Sequence, residues 1–134
     1  MTSQEEALRK QAEIAAHNTQ IQGQINNLNM ELTILQAKLR NYENMKLKLR
    51  QAVDHLKSAE SSISKVSNGI KRNYQSTIAN KKVEEVEKYK TDINTVIGRL
   101  QGVVIESASN KINKLNRQID EVKSQISGLK LSFK

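Results

Sequence analysis

Residues 21–56 read IQGQINNLNMELTILQAKLRNYENMKLKLRQAVDHL, and the spacing inside this stretch decides the fold. Ile21, Leu28, Leu35, Tyr42, Leu49 and Leu56 stand seven residues apart. Outward, the series reaches Ile14 on one side and Ile63 and Ile70 on the other, nine apolar residues over eight heptads. A straight helix repeats every ~3.6 residues, so a sustained period of seven keeps one seam against another helix and implies a left-handed supercoil. The interleaved seam positions are Asn18, Ile25, Leu32, Leu39, Lys46, Val53, Glu60 and Ser67. The seam is therefore apolar from Ile21 to Tyr42 and mixed beyond it. Lys46 and Glu60 lower stability there and set register or partner, unless their stems carry the charges out to the edge.

Composition agrees with long helices. The 134 residues include no Pro, five Gly and no Trp, and aromatics make up 3%. A compact core draws on several large aromatics, whereas a helix pair buries only a stripe. Cysteine is absent, which removes disulfide and thiol chemistry. The first residues, Met1-Thr2-Ser3-Gln4-Glu5-Glu6, lack the basic and apolar regions of a cleaved signal peptide. No run approaches the ~20 apolar residues of a membrane span. The lack of cysteine does not fix the compartment; the expected location is cytoplasmic, with export beside a partner as the alternative. Net charge is +8, and residues 68–134 hold thirteen Lys/Arg against seven Asp/Glu. Such a half attracts acidic partners, but a nucleic-acid binder clusters its cations on one face and interleaves stacking aromatics, and beyond Tyr74 and Tyr89 this half has only Phe133.

The expected architecture is all-α, a single domain over residues 1–134 forming an antiparallel two-helix hairpin, a coiled-coil rod. Ser3 and Glu6 fit a capping box, so helix one should cover about 4–66. Asn68-Gly69, at the chain midpoint, is a strong turn signal. A turn region over 67–80 follows, with Asn80 as the second N-cap and Glu84, Glu85 and Glu87 near the helix start. Helix two should cover about 81–131. Its apolar residues form one block, Val86, Tyr89, Ile93, Val96, Leu100 and Val103. A second block holds Ile105, Ile112, Ile119 and Ile126 with Ala108, Leu115, Val122 and Leu129. The blocks are out of phase. The four-residue steps Leu100, Val104, Ala108, Ile112 predict a stutter or bend beside Gly98 and Gly102, the alternative being a notch in which these small residues admit a partner backbone.

The pattern favours binding over catalysis. His17 and His55 lie far apart on one predicted helix, and no Gly-rich phosphate loop exists. We expect no catalytic, cofactor-binding or metal-binding residue. The candidate partner-binding seam is Ile21, Ile25, Leu28, Leu32, Leu35, Leu39, Leu49, Leu56, Ile112, Leu115, Ile119 and Val122. Residues 16–30 carry no formal charge and are rich in Asn and Gln, including Gln22 and Asn26, which suits a helix interface without ionic desolvation.

One stretch carries a resemblance. Residues 61–83, SSISKVSNGIKRNYQSTIANKKV, between two long helical patterns, are similar to the WXG-related helical hairpins of type VII secretion. The nearest likeness is to the YwqH-like small proteins encoded beside LXG-domain toxins in Gram-positive bacteria. Ser67-Asn68-Gly69 occupies the place of Trp-any-Gly, without the Trp. The export motif, Tyr followed four residues later by Asp or Glu, is also missing, since Tyr89 is followed by Ile93. The resemblance implies a partner rather than an autonomous export substrate. Such a chaperone or targeting factor would bind the helical N-terminal domain of an LXG toxin, with a second small helical protein as a further candidate. Other readings are a self-assembling structural coiled coil and a basic nucleic-acid-associated rod.

Overall fold

The computed structural model describes residues 2–73 and 76–134. Among these residues the protein is all-helical. Helix α1 spans Ser3–Asn73, α2 spans Thr77–Arg99 and α3 spans Glu106–Lys130, with a π-helical segment, Leu100–Ile105, joining α2 to α3.

The helix starts differ from expectation by small, physically legible amounts. The capping box is Thr2 with Glu5, not Ser3 with Glu6. The Glu5 N–H donates to Thr2 Oγ1 at 3.2 Å, and the Thr2 N–H donates to Glu5 Oε2 at 3.3 Å. Thr-any-any-Glu satisfies two free donors as Ser-any-any-Glu would, one residue earlier. The second N-cap is Ser76, not Asn80. Ser76 is extended (φ −151°, ψ 164°), and its hydroxyl accepts from the Ala79 N–H at 3.1 Å. Asn80 lies inside α2, where its N–H bonds the Ser76 carbonyl at 3.0 Å. Glu84, Glu85 and Glu87 consequently fall beyond the first turn.

The larger correction concerns Asn68 and Gly69. No turn forms there, and α1 continues to Asn73. No glycine has positive φ, and a Cβ placed on Gly69 would meet nothing within 4 Å. Asn and Gly inside a helix cost up to ~1 kcal/mol each relative to Ala. Continuing the helix keeps the seam running past this point. It buries Ser67 to 1% exposure and half-buries Ile70. Of the expected 67–80 turn region, Tyr74 and Gln75 lie outside the described residues.

By packing, the chain divides into two compact units. The first comprises Met1–Asn41 and Ile112–Lys134, the second Tyr42–Lys111. Helix α1 contributes to both. A narrow seam touches only nearby residues, so contacts cluster locally instead of converging on one core.

In the first unit the buried apolar residues are Ile21, Ile25 and Leu35 from α1 and Leu115, Ile119, Val122 and Ile126 from α3. A lone helix cannot shield a side chain to the 3% exposure of Ile25, so the two segments bury each other. Their ends are tied by polar bonds. Asn18 Oδ1 accepts from the Lys134 N–H at 3.0 Å, and Asn18 Nδ2 donates to the Lys134 carbonyl at 3.2 Å. His17 Nε2 donates to the Ser132 carbonyl at 2.9 Å.

In the second unit the buried residues are Val53, Ser67, Ala79, Ile97 and Ala108. The inward series on α2 is Ala79, Val83, Val86, Lys90, Ile93 and Ile97, continued by Leu100 at the start of the π-helical segment, all buried or half-buried. Tyr89, Val96 and Val103, expected inside, are outside at 65%, 45% and 65% exposure. They lie one position off the heptad that Ile93, Ile97 and Leu100 define, and the first apolar block counted the two together.

Candidate functional site

The predicted seam is consumed within the chain. Ile21, Ile25, Leu35, Leu115, Ile119 and Val122 are buried, while Leu28, Leu32, Leu39, Leu49, Leu56 and Ile112 are half-buried. A partner therefore meets their flanks unless it displaces one helix. Asn68 and Gly69 sit in helix, Asn68 exposed and Gly69 half-buried.

The surface left over is where binding chemistry remains. In the first unit, Leu8, Ile14, Met30 and Ile34 are exposed at 41–66% on α1. Residues 3–16 of α1 are exposed throughout. A groove of about 540 Å³ is lined by Gln24, Asn27 and Leu28 of α1 and Gln125, Gly128 and Leu129 of α3. Its lining carries no charge, so it lies on the amide-rich stretch singled out above. The amides Gln22 and Asn26 bond each other along α1, Nε2 to Oδ1 at 2.9 Å.

In the second unit a groove of about 290 Å³ lies where α1 faces the π-helical segment. Tyr42, Met45, Val103, Val104, Ala108 and Lys111 are among its lining residues. Lys111 Nζ donates to Tyr42 Oη at 3.3 Å and sits 5.4 Å from the Tyr42 ring centre, so the cation is held at the groove's edge.

The π-helical segment explains the phase change between the apolar blocks. From Ile97 to Ile105 and from Leu100 to Ala108, the inward positions are eight residues apart rather than seven. One extra residue has been inserted, and i→i+5 bonding absorbs it in a single wide turn. That is a one-residue slip, not the stutter read from Leu100, Val104, Ala108 and Ile112. A stutter would place Val104 inside, but Val104 is 40% exposed and Ile105 takes the inward place. A Cβ on Gly98 or Gly102 would meet nothing within 4 Å, so neither glycine admits a close backbone.

Ser67 provides a polar contact that the sequence did not reveal. Its hydroxyl donates to Glu87 Oε1 at 2.7 Å, and Lys71 Nζ lies 3.6 Å from the same oxygen. The Ser67 bond is the largest influence holding the Glu87 carboxyl below its usual pKa; desolvation opposes it, and the charges of Lys71 and Lys90 assist it. Lys46 and Glu60 are half-buried, and neither makes an ion pair among the described residues.

No group of three or more His, Cys, Asp or Glu converges to hold a metal among the described residues. Among the described residues no helix is long and apolar enough to cross a membrane. Compared with known protein families, curated proteins and solved structures, the chain matches none.

Proposed function

We propose that this chain is a non-enzymatic helical binding partner, a chaperone or targeting factor that presents an antiparallel helical hairpin to the long helices of a larger protein. Exposed apolar side chains carry the proposal: Leu8, Met30, Ile34, Val103 and Leu131 stand 56–88% exposed, and apolar side chains left in water on a helix face favour burial against another helix. The hairpin reading is supported in the second unit by pairings in which rising numbers on one arm meet falling numbers on the other, Tyr42 with Lys111 and Ser67 with Glu87. In the first unit His17 and Asn18 of α1 bond Ser132 and Lys134, just past the end of α3.

The finer identity rests on the resemblance given above. The partner would be the helical N-terminal domain of a type VII-secreted LXG toxin, joined or not by a second small helical protein. The chain would act in the cytoplasm or leave with its cargo. The experiment is affinity capture of the tagged full chain from its native cell in moderate salt, followed by mass spectrometry. Recovery of one large protein with a helical N-terminal domain is the expected result. Recovery of the chain alone would instead favour a self-assembling coiled coil. Residues 3–16 give that second reading its footing, because they carry the heptad on through Ala7 and Ile14 while remaining exposed.

A further inference from the structure

The π-helical segment has a specific consequence. π turns are rare, occur mostly as single turns inside α-helices, and are frequent at functional sites. On α1 the heptads pass through Tyr42, Leu49, Val53 and Leu56 unbroken, so the opposing helix has no need of an extra residue to stay in register. Removing one residue from Leu100–Ile105 would return Ile105 and Ala108 to the heptad of Ile97 and Leu100. What the insertion does is rotate Val104 out of the seam. Val104 and Val103 then lie side by side at 40% and 65% exposure, next to Met45 at 41%. Together with Tyr42 and Ala108 they form an apolar groove.

Charge selects the occupant. Within about one helical turn of the groove, this unit carries Lys46, Lys48, Arg99 and Lys111 against Glu43 and Glu106. The unit as a whole has thirteen Lys/Arg and eight Asp/Glu. A second copy of this face would bring like charges together, whereas an acidic helix would neutralise them. We propose that the groove of Tyr42, Met45, Val103 and Val104 docks one amphipathic helix of another protein, with apolar residues facing the valines and carboxylates facing the lysine rim. The inference builds on the binding-partner reading by assigning that partner a contact site and a charge.

The test uses the full chain and a labelled synthetic helix of about 20 residues, long enough to hold helical structure. Leu occupies one face at i, i+3, i+4 and i+7, with Glu on the flanks. A matched peptide carries Lys in place of Glu. Fluorescence anisotropy should give a Kd on the order of 10–100 µM for the acidic peptide, weakening with salt, and at least tenfold poorer binding of the basic one. Val103→Ser with Val104→Ser should weaken the acidic peptide at least tenfold while circular dichroism stays helical. Deletion of Val104 is the second variant. It should retain or raise the melting temperature, because it restores the heptad, and still lose the peptide.

Equal binding of the two peptides, or undiminished binding by both valine variants, would overturn the proposal. So would a dimer of the chain that dissociates on Val103→Ser with Val104→Ser, since the occupant would then be a second copy. The two readings fail separately. If wild-type chain captures its cellular partner and the valine variants capture it equally, this site is wrong and the binding-partner reading stands. If wild-type chain captures nothing but binds the acidic peptide as described, the reverse holds.

Discussion

The two compact units are built on one repeat and filled differently. The first buries Ile21, Ile25, Leu35, Leu115, Ile119, Val122 and Ile126, each a branched aliphatic at 9% exposure or less. The second buries Val53, Ile97, two alanines and a serine, and leaves Lys46, Glu60 and Lys90 half-buried on its seam. The period of seven decides that a seam exists. The volume and polarity of what fills it decide how firmly it closes. The first unit therefore supplies stability, and the second, with smaller side chains, charges and a π turn, is the more easily remodelled.

Matched truncations test this contrast most strongly. Ile25→Ala, at a position 3% exposed, should cost about 3–4 kcal/mol by chemical denaturation, because it opens a well-packed cavity. Ile97→Ala, at 7% exposure, should cost about 2 kcal/mol, since its looser surroundings collapse more readily. Equal or reversed costs would break the comparison.

A gain in the second unit is the next effect in size. Lys46→Leu should stabilise the chain by about 1 kcal/mol, because an aliphatic residue replaces a charged one at a half-buried seam position. If partner capture is untouched by that variant, Lys46 has no part in choosing the partner. Gly69→Ala should stabilise by about 0.5–1 kcal/mol, as expected for a glycine inside a helix with room for a methyl group. A loss on thermal melting would instead mean that Gly69 sits in a turn.

The smallest effect is on titration. Ser67→Ala removes the bond that most strongly lowers the Glu87 carboxyl, so NMR titration should show the Glu87 pKa rising toward its ordinary value. A carboxyl lowered in the folded state adds stability that is complete above its unfolded pKa. That stability is lost as pH falls through the lower native value. The alanine variant should lose less stability than wild type across this acid window, and an unchanged Glu87 pKa would remove Ser67 from the account.

Much of the architecture is written in spacing. The seven-residue series read from Ile14 onward matches an α1 whose seam positions are buried or half-buried from Asn18 to Ile70. The block from Ile105 to Leu129 is likewise inward throughout. The misreadings fell where local chemistry and packing disagree. Asn68-Gly69 has the composition of a turn, yet the burial of Ser67 and half-burial of Ile70 carry the helix onward. Tyr89 and Val96 look like core by hydropathy, yet the heptad set by Ile93 and Ile97 leaves them in water.

The sequence by itself determined that this protein is helical, that its helices pack along seams, and that those seams lose phase near Leu100. Periodicity and composition are local properties, and they survive without knowledge of any partner. Only the tertiary structure decided where α1 stops, which residues the phase change exposes, and that Ser67 reaches Glu87 across twenty residues of chain. Those outcomes depend on which side chain stands opposite which, and a single chain read in order does not contain that pairing.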